Sequence, residues 1–384
     1  MDLSREFLDR EFPSRRHGIQ FNHAAVCPLP ARAAQALAAY AGKLSGRASL
    51  DWREWGAEAD ALRVAAAALV GADDSVGGAR SVSVVPNTTW GLNLVAQGLE
   101  LGPGDSIVTT ASEFPANLTP WLALERRGVR VKRLATRDGA FTGEELAAAC
   151  DATTKLVSVS LVSFHSGFRA PVEAIGALCR DRGVAFGLDA IQGVGAIPVD
   201  VSGWGVDFLS ADGHKWMLGP EGCGILFTRP AFRERLRAPA GWTNLRRDGG
   251  GDFRVPDRPE YAADATKFEV GALPTPGVYA LRASAELLLS LGLDLIGRRN
   301  ARTLAVLVDG LPKLGFSPLL FGGPPHAGIL AARPPSGTDA RFFAKRLADA
   351  GIAASAREGF LRLSPHVGND EEEAARVLAA LGKP

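Results

Sequence analysis

Apolar runs of strand length alternate with helical stretches through much of the chain, and this alternation restricts the possible folds more than any other feature. SVSVV (81–85) is one such run, SIVTT (106–110) precedes a helical stretch near 115–127, and KLVSVSLV (155–162) precedes another near 171–182. Unbroken β-branched runs between helices are typical of parallel strands covered on both faces. The sequence therefore predicts an α/β domain on a mainly parallel sheet.

The chain also predicts a second, smaller domain, because its 384 residues exceed what one hydrophobic core usually serves. Residues 245–266 are rich in glycine, proline and charge, and a loop of that length is more often functional than idle. Helices near 276–311 are then followed by short strands and helices, a mixture that fits an α+β domain. We place the large domain at 22–280 and the small domain at 1–21 and 281–384.

Charge and hydropathy argue against nucleic-acid and membrane partners. Lysine and arginine number 43 against 42 aspartates and glutamates, so no global field favours a polyanion or a membrane surface. The charged N-terminus lacks the apolar centre of a signal peptide, and no segment has 18 consecutive apolar residues. We therefore expect a cytoplasmic protein.

Cysteine and histidine spacing gives no support for a metal site. The six histidines form no HxxxH or HExxH cluster, and the four cysteines are far apart without CxxC spacing. We expect the cysteines to be reduced and buried, and no metal to be bound.

Asp189 and Lys215 are the residues that indicate chemistry. Asp189 closes the apolar strand VAFGLD (184–189), and the strand VDFLSAD (206–212) delivers Lys215 into the glycine-rich turn MLGPEGCG. Pyridoxal phosphate needs a lysine amine to hold it as a Schiff base and a carboxylate to keep its ring nitrogen protonated. This pair therefore predicts a pyridoxal phosphate enzyme with Lys215 and Asp189 as its catalytic residues.

The cofactor's phosphate requires backbone donors and hydroxyls at a helix start, where the dipole favours an anion. Thr88 and Thr89 follow the strand at 81–85 and head the predicted helix around 88–99, so they meet that requirement. An ordinary helix cap is compatible with the same residues. GPEGCG (219–224) does not lead from a strand into a helix, so a dinucleotide site has little support.

Several motifs in order resemble class V of the fold-type I pyridoxal phosphate enzymes, the group of isopenicillin N epimerase, cysteine desulfurases and kynureninase. The resemblance runs from FNHAAVCPLP (21–30) to FLRLSPHVGNDEEE (360–373), through VSFHSGFRAPVEAI, LDAIQGVGAIPVDV and ADGHKWMLGPEGCGILF. It implies a mainly parallel, seven-stranded type of sheet between helices, with a smaller α+β C-terminal domain.

The resemblance also assigns cofactor contacts. Lys215 would move the α-proton, Gln192 would bind the ring's phenolic oxygen, and Phe114 would stack on the ring where relatives have a histidine. His214 and Asp212 occupy the place where relatives put a histidine and a serine on the phosphate. Because aspartate cannot donate a hydrogen bond to a phosphate, the assignment of His214 is stronger than that of Asp212.

For the substrate, the resemblance makes Arg362 the residue that grips the α-carboxylate with a bidentate fork. An arginine within an apolar strand is costly to bury without an anionic partner, which favours the same role. Arg357 is a secondary candidate, His165 a candidate for the pocket, and His23 a candidate for the entrance.

The segment KFEVGALPTPG (267–277) matches the part of relatives that reaches a neighbouring subunit's phosphate. Here Ala272 follows Gly271 where a threonine is usual, and the nearest threonine is Thr275. We nevertheless expect a homodimer with shared sites.

Several reactions remain open at this point. A class V aminotransferase or an isopenicillin N epimerase-like isomerase is the first reading, and epimerisation would need a second acid or base from His165, His23 or Tyr261. Cysteine lyase-like or kynureninase-like cleavage is the alternative, although no cysteine follows Cys223 to serve a desulfurase. A protein that binds the cofactor without turnover is a further alternative, which retention of Lys215, Asp189 and Arg362 disfavours.

Overall fold

The computed structural model describes residues 3–246, 257–322 and 327–382. The strands are β1 Ile19–Gln20, β2 Val82–Val85, β3 Ser106–Thr110, β4 Arg130–Leu134, β5 Thr154–Ser160, β6 Ala185–Asp189, β7 Phe208–Asp212, β8 Gly224–Thr228, β9 Ser317–Pro318, β10 Leu330–Arg333, β11 Ile352–Ala353, β12 Ser355–Arg357 and β13 Phe360–Leu363. The helices are α1 Arg5–Glu11, α2 Ala31–Arg47, α3 Trp52–Leu69, α4 Thr88–Gly98, α5 Thr119–Leu122, α6 Gly143–Ala149, α7 Val172–Arg182, α8 Pro230–Glu234, α9 Thr275–Leu291, α10 Leu293–Gly310, α11 Ala340–Asp349 and α12 Glu371–Leu381.

Seven strands form the central sheet in the order β2-β8-β7-β6-β5-β3-β4. The pairs from β7 to β4 are parallel, and β8 runs antiparallel to both of its neighbours, β2 and β7. Strands β2, β3, β6, β7 and β8 are buried along their whole length, and separate apolar cores cover the two faces of the sheet. The predicted mainly parallel α/β sheet is confirmed.

One predicted helix differs from the structure. The stretch near 115–127 is divided into a 3-10 turn at Pro115–Asn117, the short helix α5 and a second 3-10 segment at Ala123–Arg127. Pro120 would lie inside a continuous helix over 115–127, where it lacks the amide hydrogen that the helix needs, whereas Pro115 stands at a first position that tolerates proline. Phe114 lies in the turn between β3 and the first of these segments.

The C-terminal part forms a second, α+β layer. Strands β12, β13, β10 and β9 make an antiparallel sheet in that order, and α10, α11 and α12 pack around it on a third apolar core. The N-terminal strand β1 pairs in parallel with β11, so the first residues of the chain join this part. The smaller α+β unit is confirmed, while the boundaries at 22 and 280 stay a prediction.

Residues 19–27, here called the N-terminal strap, connect the two parts. The strap forms a bridge from Asn22 to Ser364, next to β13, and the amide of Cys27 donates to the carbonyl of His214 at 2.8 Å. The strap therefore lies against the segment that carries Lys215.

The long loop is described only at its ends. Residues 247–256 lie outside the described residues, and the flanks meet at a bridge between Leu245 and Tyr261. Elsewhere, no helix of the described ranges combines the length and apolarity that crossing a membrane requires.

Candidate active site

The carboxyl ends of the parallel strands bring the predicted catalytic pair together. Asp189 ends β6, where it lies in register with Ser160 of β5 and Ser210 of β7. Lys215 follows β7 by three residues, and the charges acting on it include Asp189, Asp212 and Arg362. Parallel α/β sheets place their ligand sites at this edge. Asp189 and Lys215 are 26 residues apart in sequence but lie near the ends of two neighbouring strands, β6 and β7.

Asp189 is a buried carboxyl group with one free oxygen. Its side chain is 2% exposed, Oδ1 accepts the Ile191 amide at 3.1 Å, and Oδ2 has no partner among the described residues. Burial, assisted by the nearby Glu113 carboxylate, raises the pKa of Asp189 to about 7 against the opposing effects of the Ile191 amide and Lys215. Leaving such an oxygen unpaired is costly. A protonated ring nitrogen would satisfy it, so this site fits pyridoxal phosphate.

Lys215 has the properties of a reactive amine. It is 8% exposed, and its Nζ lies 5.7 Å from the centroid of the Phe114 ring. Burial lowers the pKa of Lys215 to about 8, with Arg362 acting in the same direction and Asp189 opposing it. Compared with a solvated lysine, a much larger fraction of this amine is unprotonated near neutral pH.

The predicted phosphate site at the start of α4 adjoins the predicted catalytic pair. Asn87 caps this helix by accepting the Trp90 amide at 2.8 Å, which leaves the amides of Thr88 and Thr89 at the open end. The Thr88 hydroxyl accepts the Asp212 amide at 2.9 Å and so joins the helix to the end of β7. Its own hydrogen remains available to an anion, as the helix dipole favours. The residues present fit a phosphate group.

Gly91 explains how α4 approaches β7 so closely. A β-carbon at this position would lie 2.3 Å from the Ser210 hydroxyl oxygen, so no larger residue fits without displacing the helix. The Ser210 hydroxyl in turn donates to the Thr88 carbonyl at 3.2 Å.

Asp212 and His214 contact each other. Oδ2 of Asp212 lies 2.9 Å from Nδ1 of His214, and the Asp212 side chain is buried. Contact of either side chain with a phosphate stays a prediction.

Gln192 is held between two chain segments. Its Oε1 accepts the Trp216 indole hydrogen at 2.8 Å, and its Nε2 donates to the Ala24 carbonyl of the N-terminal strap at 3.0 Å. A primary amide has two hydrogens, so one donor remains. The contact of Gln192 with a phenolic oxygen stays a prediction.

Arg362 is a buried cation without a counter-charge in the described part of the chain. It is 2% exposed on β13, its Nε donates to the Ser355 hydroxyl at 3.1 Å, and Nη1 donates to the Phe164 carbonyl at 2.6 Å. Burial lowers the pKa of Arg362 to about 9, and Arg357 acts in the same direction. Because isolated buried charge is costly, this guanidinium is suited to receive a carboxylate.

The other predicted substrate residues lie in different surroundings. Arg357 is exposed at the end of β12 and donates to the Ala356 carbonyl. His23 is enclosed beside Trp216 and His366, its Nδ1 is 3.0 Å from the Ser364 carbonyl oxygen, and burial lowers its pKa to about 4. An enclosed, neutral imidazole is typical of a structural histidine. Contact of His23 or Arg357 with a substrate stays a prediction.

Sequence reasoning missed Glu113, whose hydrogen bonds connect several segments beneath the candidate site. The buried carboxylate accepts from the Thr110 hydroxyl at 3.0 Å, the Asn117 amide group at 2.9 Å and the Ser160 amide at 3.0 Å. It thereby ties the ends of β3 and β5 to the turn that follows Phe114. An acidic residue three positions after a predicted strand was the available signal.

Replacing Asp189 with asparagine should stabilise the cofactor-free protein, and more so at about pH 8 than at about pH 5. The folded-state pKa of Asp189 is raised to about 7, so the folded state retains a proton that the unfolded chain releases. Stability is therefore lost as pH rises towards this pKa, and asparagine avoids the loss. We expect a rise of about 3 °C in Tm at the higher pH, measured by scanning fluorimetry. Asp181→Asn, on the surface, is the control, and an equal response from it would contradict the assignment.

Three comparisons bear on this geometry. The family model described as Aminotransferase class-V matches residues 19–363. A cysteine desulfurase of Serratia proteamaculans strain 568 is 30% identical over 336 residues, covering 84% of this chain and 73% of the relative. A solved apo structure of cysteine desulfurase from Thermococcus onnurineus NA1 has a TM-score of 0.87 at 26% identity, covering 100% of this chain and 98% of the other.

A second similar structure is that of the cystine C-S lyase C-DES. Its complex with its reaction product cysteine persulfide has a TM-score of 0.87 at 25% identity, covering 97% of this chain and 99% of that one. A mutant of C-DES carries glycine covalently linked to its PLP cofactor.

Proposed function

The chain belongs to the class-V aminotransferase family, and from this premise we propose that it acts on a free amino acid whose α-proton is removed by Lys215. It is a pyridoxal phosphate-dependent enzyme. One observation supports the proposed role above all. Lys215, whose pKa is lowered, and Asp189, whose Oδ2 has no hydrogen-bond partner among the described residues, are buried close together.

Pyridoxal phosphate supplies an aldehyde that a lysine amine can bind and a ring that accepts electrons when a bond to the α-carbon breaks. Asp189 Oδ2 would hold a proton on the ring nitrogen, while Phe114 would support the ring face. The amides of Thr88 and Thr89, the Thr88 hydroxyl and His214 would bind the phosphate.

Two groups would handle the substrate. Arg362 would orient it through its α-carboxylate, with Ser355 and the Phe164 carbonyl fixing the guanidinium plane. Lys215 Nζ would then accept the α-proton, because burial keeps a useful fraction of this amine unprotonated.

Transamination and epimerisation are the first candidates for the overall reaction. Transamination needs Lys215 and a pocket for two substrates in turn. Epimerisation needs a second acid or base, and His165 is a neutral candidate because burial lowers its pKa. His165 is 5% exposed and hydrogen bonds to Ser163 at 3.1 Å through Nδ1.

Lyase chemistry on a sulfur-containing or other amino acid is a second candidate, supported by the likeness to C-DES. A desulfurase using a protein thiol is less well supported. The four cysteines are free and buried, and burial raises the pKa of Cys27 and of Cys179 to about 12. The hairpin of β12 and β13, which carries Arg362, has only Glu358 and Gly359 between its strands and contains no cysteine that could act on the substrate.

We also propose a homodimer that works in the cytoplasm. An apolar groove of about 540 Å³ along α4 is lined by Trp90, Leu94 and Pro239, and Trp90, near the start of the helix, is 46% exposed. Exposed aromatic surface next to the phosphate site suits contact with a second subunit. Four free cysteines suit a reducing compartment.

Incubation of the reconstituted enzyme with a panel of amino acids in deuterated water would test the reaction. Deuterium at the α-carbon with inverted configuration would identify epimerisation, and release of a keto acid with amination of the cofactor would identify transamination. Sulfide or alanine would identify a lyase. Absence of exchange at the α-carbon for every amino acid would overturn the proposed role of Lys215.

A further inference from the structure

A cavity of about 360 Å³ lies directly beyond the proposed carboxylate clamp. Phe164 connects the two, because its carbonyl accepts from Arg362 at 2.6 Å and the residue lines the cavity. The Phe164 ring meets that of Phe114 edge to face, with centroids 5.2 Å apart. The cavity therefore adjoins the volume between Lys215 and Arg362.

The cavity is bounded by the tips of two tight turns, each with an acidic residue followed by glycine. Asp138 and Gly139 close the bridge between Arg137 and Ala140, and Glu358 and Gly359 close the hairpin of β12 and β13. Asp138 has φ +52° and Glu358 has φ +47°, so both lie in the left-handed region. Both residues line the cavity.

The left-handed backbone conformation of Glu358 costs conformational free energy, and glycine or asparagine at this position would reduce that cost. Two-residue turns with both φ values positive favour Asn-Gly or Asp-Gly, and a glutamate there is strained. Strained residues concentrate at functional positions. The conformation at Glu358 is consistent with a role for its carboxylate in the cavity.

The charged groups of the lining are all acidic. Among the described residues it includes the carboxylates of Glu113, Asp138 and Glu358, and neither lysine nor arginine. Arg333 pairs with Asp138 at 2.7 Å and is itself 54% exposed, whereas Glu358 has no ion-pair or hydrogen-bond partner in the described part of the chain. The Glu358 carboxylate is therefore left to pair with a ligand.

His165 provides a second, independent indication of a ligand. It lines the cavity while only 5% exposed, its Nδ1 bonds to Ser163, and the described residues offer its Nε2 no partner. Buried polar atoms are normally hydrogen bonded. A donor group of a ligand in the cavity would complete its bonding.

We propose that this cavity binds the side chain of the substrate, and that the substrate is an amino acid with a positively charged group at the end of that side chain. The proposal rests on the proposed function, since Arg362 must hold the α-carboxylate for the side chain to pass Phe164. Glu358 and Asp138 select the cation, and His165 accepts a hydrogen bond from it.

Binding of stable conjugates tests this without turnover. Nα-phosphopyridoxyl-L-lysine and Nα-phosphopyridoxyl-L-norleucine differ only in the terminal ammonium group, and calorimetry gives their Kd values on the cofactor-free protein. We expect the lysine conjugate to bind about tenfold more tightly. Equal Kd values would overturn the inference, whereas failure of both conjugates to bind would overturn the proposed function as well.

Asparagine variants locate the effect, because asparagine suits both turns and preserves their backbone. Glu358→Asn should reduce the ratio of the two Kd values by about fivefold, and Asp138→Asn should also reduce it. Glu372→Gln, which removes an exposed charge of α12 outside the cavity, should leave the ratio unchanged. A ratio unaffected by Glu358→Asn would contradict the proposed subsite.

Discussion

Replacing Lys215 with alanine should remove the visible absorption of the reconstituted enzyme and lower its turnover by at least about a thousandfold. The variant loses both the amine that binds the cofactor covalently and the base for the α-proton. Burial of Lys215 beside Asp189 gives this amine a pKa of about 8, which no solvated lysine can replace. Absorption spectra and single-turnover rates measure the two effects separately.

The matched control is Lys313→Ala, which removes an exposed lysine from the C-terminal part of the chain. It should keep both the spectrum and the turnover of the parent enzyme. If the Lys215 variant retained the visible band, another amine would have to bind the cofactor, and the assignment of the site would be wrong.

Replacing Arg362 with glutamine should raise the KM for amino acid substrates by about a hundredfold. The guanidinium is 2% exposed and has no anionic partner among the described residues, so the substrate carboxylate would supply its counter-charge. The preference of the enzyme for an amino acid over the corresponding amine should fall by a similar factor. Initial rates with matched acid and amine substrates provide the measurement.

Arg357→Gln is a control on the same hairpin. Arg357 is exposed and donates only to a neighbouring carbonyl, so the acid-to-amine preference should change by less than about threefold. A larger effect from Arg357 than from Arg362 would reverse their proposed roles.

The sheet was predictable because its strands are buried on both faces and therefore read as continuous apolar runs. β3 lies at 106–110 as predicted, and β6 and β7 end at Asp189 and Asp212. The regular strands also pointed to the candidate site, because residues at the carboxyl ends of parallel strands lie along one edge of the sheet. The divided helix after Phe114 was missed, since Pro120 interrupts the helix that the apolar pattern predicted.

Other parts of the site depend on contacts between segments that are far apart in sequence. Nothing near Arg362 in the sequence indicates that the Phe164 carbonyl receives its Nη1. The approach of Asp138 and Glu358 across one cavity follows from the packing of two turns from different parts of the fold. Such pairings are set by tertiary structure and leave no periodic signal.

The N-terminal strap has a mechanical consequence for the cleft. It is hydrogen bonded to Ser364 on one side and to His214 and Gln192 on the other. Any rotation that separates the C-terminal layer from the central sheet must strain one of these attachments. Separation of the two parts would therefore displace His214, the residue preceding Lys215, because the N-terminal strap is attached to both parts.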